Sequence, residues 1–282
     1  MKNILTINGQ TVTYYSGKND STTILPLVLL HGFCEDASIW EPVLPVFANG
    51  QVLRLDLPGF GGSDLPLAAG MDVYADTVCA LLNELNIQRC VLAGHSMGGY
   101  IALAFARAYP ERLAGFSLVH AHPYPDSPER IENRRRGIEM LNAGKKDLYV
   151  AQLFPGLFAQ TFLQTHPTVV DKLIQKGRQQ PTAGIVAAIQ SMMDRKNHLD
   201  TLRDARCPVQ FILGELDALI PLEDALAAAT LPAIVDIRVL PGTGHMGMFE
   251  ATEQTALALR DFWQLCIQHN TTAFPNKTQT NI

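Results

Sequence analysis

The sequence has no surplus of basic residues: Lys and Arg number 22 against 27 Asp and Glu, a net charge of −5. A chain that binds nucleic acid through its phosphates needs such a surplus, so no nucleic-acid partner is expected. Long hydrophobic runs are also missing. The apolar run from Cys90 to Ala106 contains His95, Ser96, Gly98 and Gly99. It falls short of the ~20 apolar residues of a spanning helix, so no membrane segment is expected. Met1 to Gln10 carry one Lys and no apolar centre, which is not the pattern of a secretory signal. The cysteines (Cys34, Cys79, Cys90, Cys207 and Cys266) are odd in number and not closely paired, a usage typical of buried thiols in a reducing compartment. These absences together predict a cytoplasmic protein that acts on a small molecule.

What the chain does have is apolar material, 47% of 282 residues, which excludes bulk disorder. This length fits one large domain, or a domain with an insertion, able to bury roughly 75% of its unfolded surface. Ile4, Leu5 and Ile7 precede Asn8-Gly9, and Val12, Tyr14 and Tyr15 follow, a hairpin pattern because Asn-Gly tolerates two positive φ angles. Short apolar runs then read as strands buried on both faces: Leu27–Leu30, Val52–Leu55, Cys90–Ala93, Phe116–Val119, Val209–Leu213 and Val235–Leu240. Helical patterns at Ala75–Leu85, Gly99–Tyr109 and Thr252–Cys266 alternate with them, which predicts a mostly parallel sheet covered by helices.

The alternation stops between His122 and Arg203. There the patterns are helical only (Ser127–Asn142, Asp147–Phe154, Pro167–Gln179, Thr182–Arg195), and basic residues outnumber acidic ones, the reverse of the rest of the chain. An inserted helical subdomain is expected. The division is therefore residues 1–121 and 204–267 as core, 122–203 as cap, and 268–282 as a loose tail.

Chemistry concentrates at the ends of the strand candidates. Gly94-His95-Ser96-Met97-Gly98 follows one apolar run and opens a helix, the strand–turn–helix setting that exposes a nucleophilic serine. A serine needs a base, and His245, in the loop after Val235–Leu240, can supply one. The base needs an orienting acid. Asp217, just past Val209–Leu213, is the first candidate, with Glu215 and Asp126 as rivals. An oxyanion would be held by the backbone N–H groups of Met97 and of Phe33, which lies in the loop after Leu27–Leu30. His31 is read as a brace for that loop, and Asp56–Asp64 as a structural turn.

These motifs resemble the alpha/beta-hydrolase fold family, serine-hydrolase branch. The resemblance is carried by His31-Gly32-Phe33, the Asp56–Asp64 loop, Gly94–Gly99, Gly214-Glu215-Leu216-Asp217 and Gly244-His245, in the family's order of Ser, Asp, His. It implies an α/β fold with an eight-stranded, mostly parallel sheet, a helical cap inserted after the sixth strand, and no metal or organic cofactor. Ser96 rather than Asp at the nucleophile position argues for acyl transfer. Ester hydrolysis of small to medium substrates is the expected reaction. Carbon–carbon hydrolysis, peracid formation and a slow-turnover ligand receptor are the alternatives. Within the cap, Leu148, Tyr149, Leu153, Phe154, Leu157, Phe158 and Phe162, joined by Met192 and Met193, form a cluster that either lines the substrate pocket or packs the cap onto the core. Phe154, Phe158 and Met192 are the substrate-binding residues expected from it, and Arg134-Arg135-Arg136 is expected to be a solvated helix face.

Overall fold

A computed structural model describes residues 1–17, 25–47 and 52–273. An N-terminal hairpin pairs β1 (Lys2–Ile7) with β2 (Gln10–Ser16) antiparallel, and its turn places Asn8 at φ 51. The strands that follow are β3 (Leu27–Leu30), β4 (Val52–Leu55), β5 (Cys90–His95), β6 (Leu113–Val119), β7 (Val209–Gly214) and β8 (Val235–Leu240). β8 departs from the expectation of a strand buried on both faces: it is the edge strand, and Val235, Ile237 and Val239 are exposed. The sheet order is β1-β2-β4-β3-β5-β6-β7-β8, antiparallel at β1–β2 and β2–β4 and parallel from β4 to β8. This is the mostly parallel, eight-stranded sheet expected from the sequence.

Two helices cover the central strands, α1 (Met71–Glu84) and α2 (Met97–Ala108). The β3, β5 and β6 side chains are buried throughout, so these strands form the core and need no polar face. β3 lies between β4 and β5, so the chain leaves it on one side and returns on the other. Parallel sheets bind ligands at the carboxyl ends of strands where this reversal occurs. Here that point brings the loop after β3 beside the end of β5.

Between β6 and β7 the described chain contains helices and no strand. They are α3 (Pro128–Asn142), α4 (Lys146–Leu153), α5 (Gln160–Thr165), α6 (Pro167–Gln179), α7 (Thr182–Met193) and α8 (Leu199–Arg203). Ser127 caps α3 by accepting the Arg130 N–H, with Pro128 at the first helical position. After β7 come α9 (Leu222–Ala229), α10 (Gly247–Glu250) and α11 (Thr252–Ala273). α11 runs to Ala273, into the stretch expected to be a loose tail; residues 274–282 of that tail lie outside the described residues. None of the described helices is long and apolar enough to cross a membrane. The cysteines are unpaired, and all but Cys207 are buried.

Candidate active site

Ser96 joins β5 to α2 with φ 49 and ψ −113, a conformation that is strained for any residue with a side chain. Its N–H donates to the Val119 carbonyl of β6 at 2.9 Å, which ties the turn to the sheet. A close approach behind the turn holds this geometry. A Cβ on Gly98 would lie 2.5 Å from the Leu30 carbonyl oxygen, so only glycine lets α2 start against the end of β3. Ser96 is partly exposed and lines a cavity of about 470 Å³ under the cap helices.

His245 reaches the same cavity from the loop after β8. Its Nδ1 lies 2.8 Å from Asp217 Oδ2, while its Nε2 is buried and has no hydrogen-bond partner among the described residues. Asp217 stands just past β7, and its Oδ1 accepts the Leu219 and Ile220 N–H groups at 2.9 and 3.0 Å. Burial alone would raise the Asp217 carboxyl. The charge of His245 and hydrogen bonds from His120 and His245 outweigh it and hold Asp217 well below the usual carboxylate range. The backbone of His245 is fixed as well: its N–H donates to the Leu157 carbonyl at 2.7 Å. Glu250 pins the same loop to the cap by accepting N–H groups from Gly244, Met246 and Ala159.

Three further residues, His120, Glu35 and His95, complete the surroundings, and none of them is among the site residues expected from the sequence. His120, at the end of β6, places Nδ1 3.3 Å from Asp217 Oδ2, and its Nε2 accepts the Gly247 N–H at 3.2 Å. Glu35 lies under the cavity with His95: Oε2 is 3.1 Å from His95 Nδ1 and also accepts the Gly32 N–H at 2.7 Å. His95 Nε2 is 3.0 Å from the His245 carbonyl, so both ring nitrogens of His95 face acceptors. Burial depresses the His95 pKa, but the Glu35 charge and these hydrogen bonds overcome that and raise it above the ordinary histidine value. His95 thus forms a buried imidazolium–carboxylate pair beneath Ser96 and His245.

Phe33 lines the cavity, and its N–H has no acceptor among the described residues. Met97 is the first residue of α2, where a helix leaves its N–H groups free. Met192 lines the cavity, but Phe154 and Phe158 do not. Phe154 packs inside the cap against Gly177, and Phe158 stacks on Phe162. From the same expected cluster, Tyr149, Leu153 and Leu157 do face the cavity. Glu215 accepts the Gly242 N–H, and Asp126 pairs with Arg134 and Arg195, so neither rival acid contacts His245. His31 Nε2 accepts the Leu57 N–H, and Asp56 accepts from Ala37 and Gly62, which braces the turn that follows β4. The expected solvated face of three arginines is corrected in part. Arg135 and Arg136 are exposed beside Glu132, whereas Arg134 turns inward to Asp126 and the cavity.

His120, Asp217 and His245 bring their ligand atoms within 4.8 Å of one another, the spacing a metal ion needs. The proton positions favour a hydrogen-bond network. The Gly247 N–H occupies His120 Nε2, so the His120 ring proton sits on Nδ1 and points its donor, not a lone pair, at the carboxylate.

The arrangement sets a strained serine and a carboxylate-oriented histidine on one cavity that Phe33 also lines. Residues 27–258 match the pattern of the alpha/beta hydrolase family. A thermophilic esterase from Thermogutta terrifontis, solved with malate bound, is 33% identical and superposes with a TM-score of 0.86, over 95% of this chain and 99% of that one. The dihydrolipoyllysine-residue acetyltransferase component of an acetoin cleaving system from Pseudomonas putida is 33% identical over 81% of this chain, which spans 60% of that relative's length. A 2-hydroxy-6-oxononadienedioate/2-hydroxy-6-oxononatrienedioate hydrolase from Burkholderia vietnamiensis is 27% identical over 81% of this chain and 83% of its own. With its sheet, its inserted helices and this site geometry, the chain belongs to the alpha/beta hydrolase family.

Proposed function

We propose that the protein is a serine hydrolase that cleaves carboxylic esters of small to medium substrates through an acyl-enzyme. Ser96 Oγ attacks the ester carbonyl and its proton passes to His245 Nε2. Asp217 holds the His245 tautomer and stabilises the imidazolium as it forms. The Phe33 and Met97 N–H groups take the negative charge on the carbonyl oxygen. His245 then protonates the leaving alkoxide, and a water that gives its proton to His245 releases the acid and restores Ser96. The observation that carries this reading is the buried, unpartnered His245 Nε2 lining the same cavity as Ser96, with its other nitrogen fixed by Asp217. Likeness to the Thermogutta terrifontis esterase supports the choice of ester.

The test is hydrolysis of p-nitrophenyl esters from acetate to dodecanoate by the wild type and by Ser96→Ala. Turnover should peak at one chain length and fall by at least about 10⁴-fold in the variant, with the fold retained. A rate that survives the substitution would refute the assignment. Likeness to the Burkholderia vietnamiensis hydrolase favours a second reading, in which the same residues cleave a carbon–carbon bond beside a ketone. Turnover of a vinylogous diketone with no turnover of any ester would select it.

A further inference from the structure

Two unlike sets of residues line the cavity at Ser96. Phe33, Tyr149, Leu153 and Leu157 are apolar or aromatic, while the first turns of α3 contribute Arg130 and Arg134. These two arginines are four residues apart and share a helix face. Their partners differ. Arg134 Nε is 2.5 Å from Asp126 Oδ2, and the other oxygen of that carboxylate is 2.7 Å from Arg195 Nη1, so Asp126 already serves two guanidinium groups. Arg130 has no carboxylate within 4.0 Å among the described residues. Its guanidinium donates to the Leu219 carbonyl, which leaves most of its donors unused.

The other acidic groups on the cavity do not cancel this charge. Glu35 is committed to His95, and Glu129 is exposed at the rim, where water screens it. Arg130 itself is only partly exposed. Arg130 and Arg134 line the cavity, and with Arg195 and Asp126 behind them the cluster carries a surplus of positive charge. It sits within residues 122–203, where basic residues outnumber acidic ones, the reverse of the rest of the chain taken together.

We infer that Arg130 is a binding residue for a carboxylate on the substrate, so that the substrate class is esters carrying a free acid group, such as half-esters of short dicarboxylic acids. The inference rests on the proposed ester reading only in placing the ester group at Ser96. A guanidinium fork matches a carboxylate with two parallel hydrogen bonds, and partial burial strengthens them relative to water. The competing role for Arg130 is a brace for the loop of residues 218–220, through the Leu219 carbonyl.

Calorimetric titration of the Ser96→Ala protein with monomethyl glutarate and dimethyl glutarate separates the two roles without requiring turnover. The half-ester should bind about tenfold tighter than the diester or better. Adding Arg130→Gln should erase that advantage and leave diester affinity unchanged, whereas Arg135→Gln, on the exposed face, should preserve it. Arg130→Lys, which keeps the charge without the fork, should retain part of it and serves if the Gln variant does not fold. Equal binding of the two compounds, no binding of either at millimolar concentration, or an equal loss for both in Arg130→Gln would each overturn the inference. A failure of ester hydrolysis would leave this binding result standing.

Discussion

His120 and His245 place their Nδ1 atoms on one carboxylate oxygen, Asp217 Oδ2, at 3.3 and 2.8 Å. The other oxygen is filled by two backbone N–H groups, so every acceptor position of a buried aspartate is directed. Burial holds the His120 pKa down at about 4, against the opposing pull of Asp217. His120 is therefore neutral near pH 7 and donates without competing for the proton that His245 must carry.

This makes His120 a positioning residue for the proposed reaction. His120→Ala should remove one donor from Asp217 and leave the Gly247 N–H without its acceptor. We expect kcat on a short p-nitrophenyl ester to fall about tenfold, equivalent to about 1.4 kcal/mol, with KM nearly unchanged. His120 also has φ 50, a region that asparagine enters readily and β-branched residues avoid. His120→Asn, with an amide N–H available, should recover more kcat than His120→Ala, and His120→Val should be the least stable of the three. Indistinguishable kinetics for Ala and Asn would remove the positioning role.

Stability should peak near pH 6.5. His120, His122 and His198 are each held at about 4, chiefly by burial, with added cationic neighbours at His122 (Arg195) and His198 (Arg107). Below their ordinary value of about 6.5, the unfolded chain takes up protons that the folded protein refuses. Stability is then lost as pH falls from about 6.5 towards 4, by at most about 1.4 kcal/mol per pH unit for each histidine. His95 works in the other direction. Its raised pKa gives stability that is present in full below about 6.5 and is lost as pH rises through the folded value. Urea unfolding at pH 4.5, 6.5 and 8.5 should therefore show the highest free energy in the middle. Glu35→Gln should flatten the alkaline limb and lower stability at pH 6.5 by about 1–3 kcal/mol, because it removes the partner of a buried imidazolium. A steady rise to pH 8.5 in the wild type would contradict the charged His95.

The sequence was most legible where a short apolar run ends in a turn. β3, β4 and β8 occupy the stretches their composition marks, and Ser96, Asp217 and His245 each follow such a run at the carboxyl edge. Residues 37–47 were not legible, because Pro42 and Pro45 argue against a helix, yet they wind as a 3-10 helix that buries Trp40 and Val43. Glu35 and Glu250 act through contacts distant in the chain, and no spacing reveals that a carboxylate will meet His95 or the Ala159 N–H. His120 did carry a signal, since it stands one residue past β6, the same kind of position that marked Asp217. The cap aromatics show how a one-residue offset decides a helical face. Tyr149, Leu153 and Leu157 recur every four residues towards the cavity, while Val150, Phe154 and Phe158 form the adjacent row and are buried within the cap and against the core.

The seating of the cap depends on one backbone contact. A Cβ on Gly184 of α7 would lie 1.8 Å from the Gly59 carbonyl oxygen, and that oxygen belongs to the braced Asp56–Asp64 turn, which cannot yield as a flexible side chain would. Gly184→Ala must therefore lift α7 away from the turn, and α7 carries Met192 into the cavity lining. We expect a loss of about 1–3 kcal/mol by urea unfolding, the usual cost of overpacking a buried contact. The displaced α7 should also raise KM for the best p-nitrophenyl ester more than it lowers kcat, because Ser96, His245 and Asp217 lie on other elements. Gly156→Ala is the matched control, since nothing lies within 4 Å of a Cβ at that position and its φ is not positive. It should change neither stability nor KM appreciably. If the two alanine variants behave alike, α7 is not seated by this contact, and the cap is held instead by the Leu157 carbonyl and Ala159 N–H bonds to the His245 loop and Glu250.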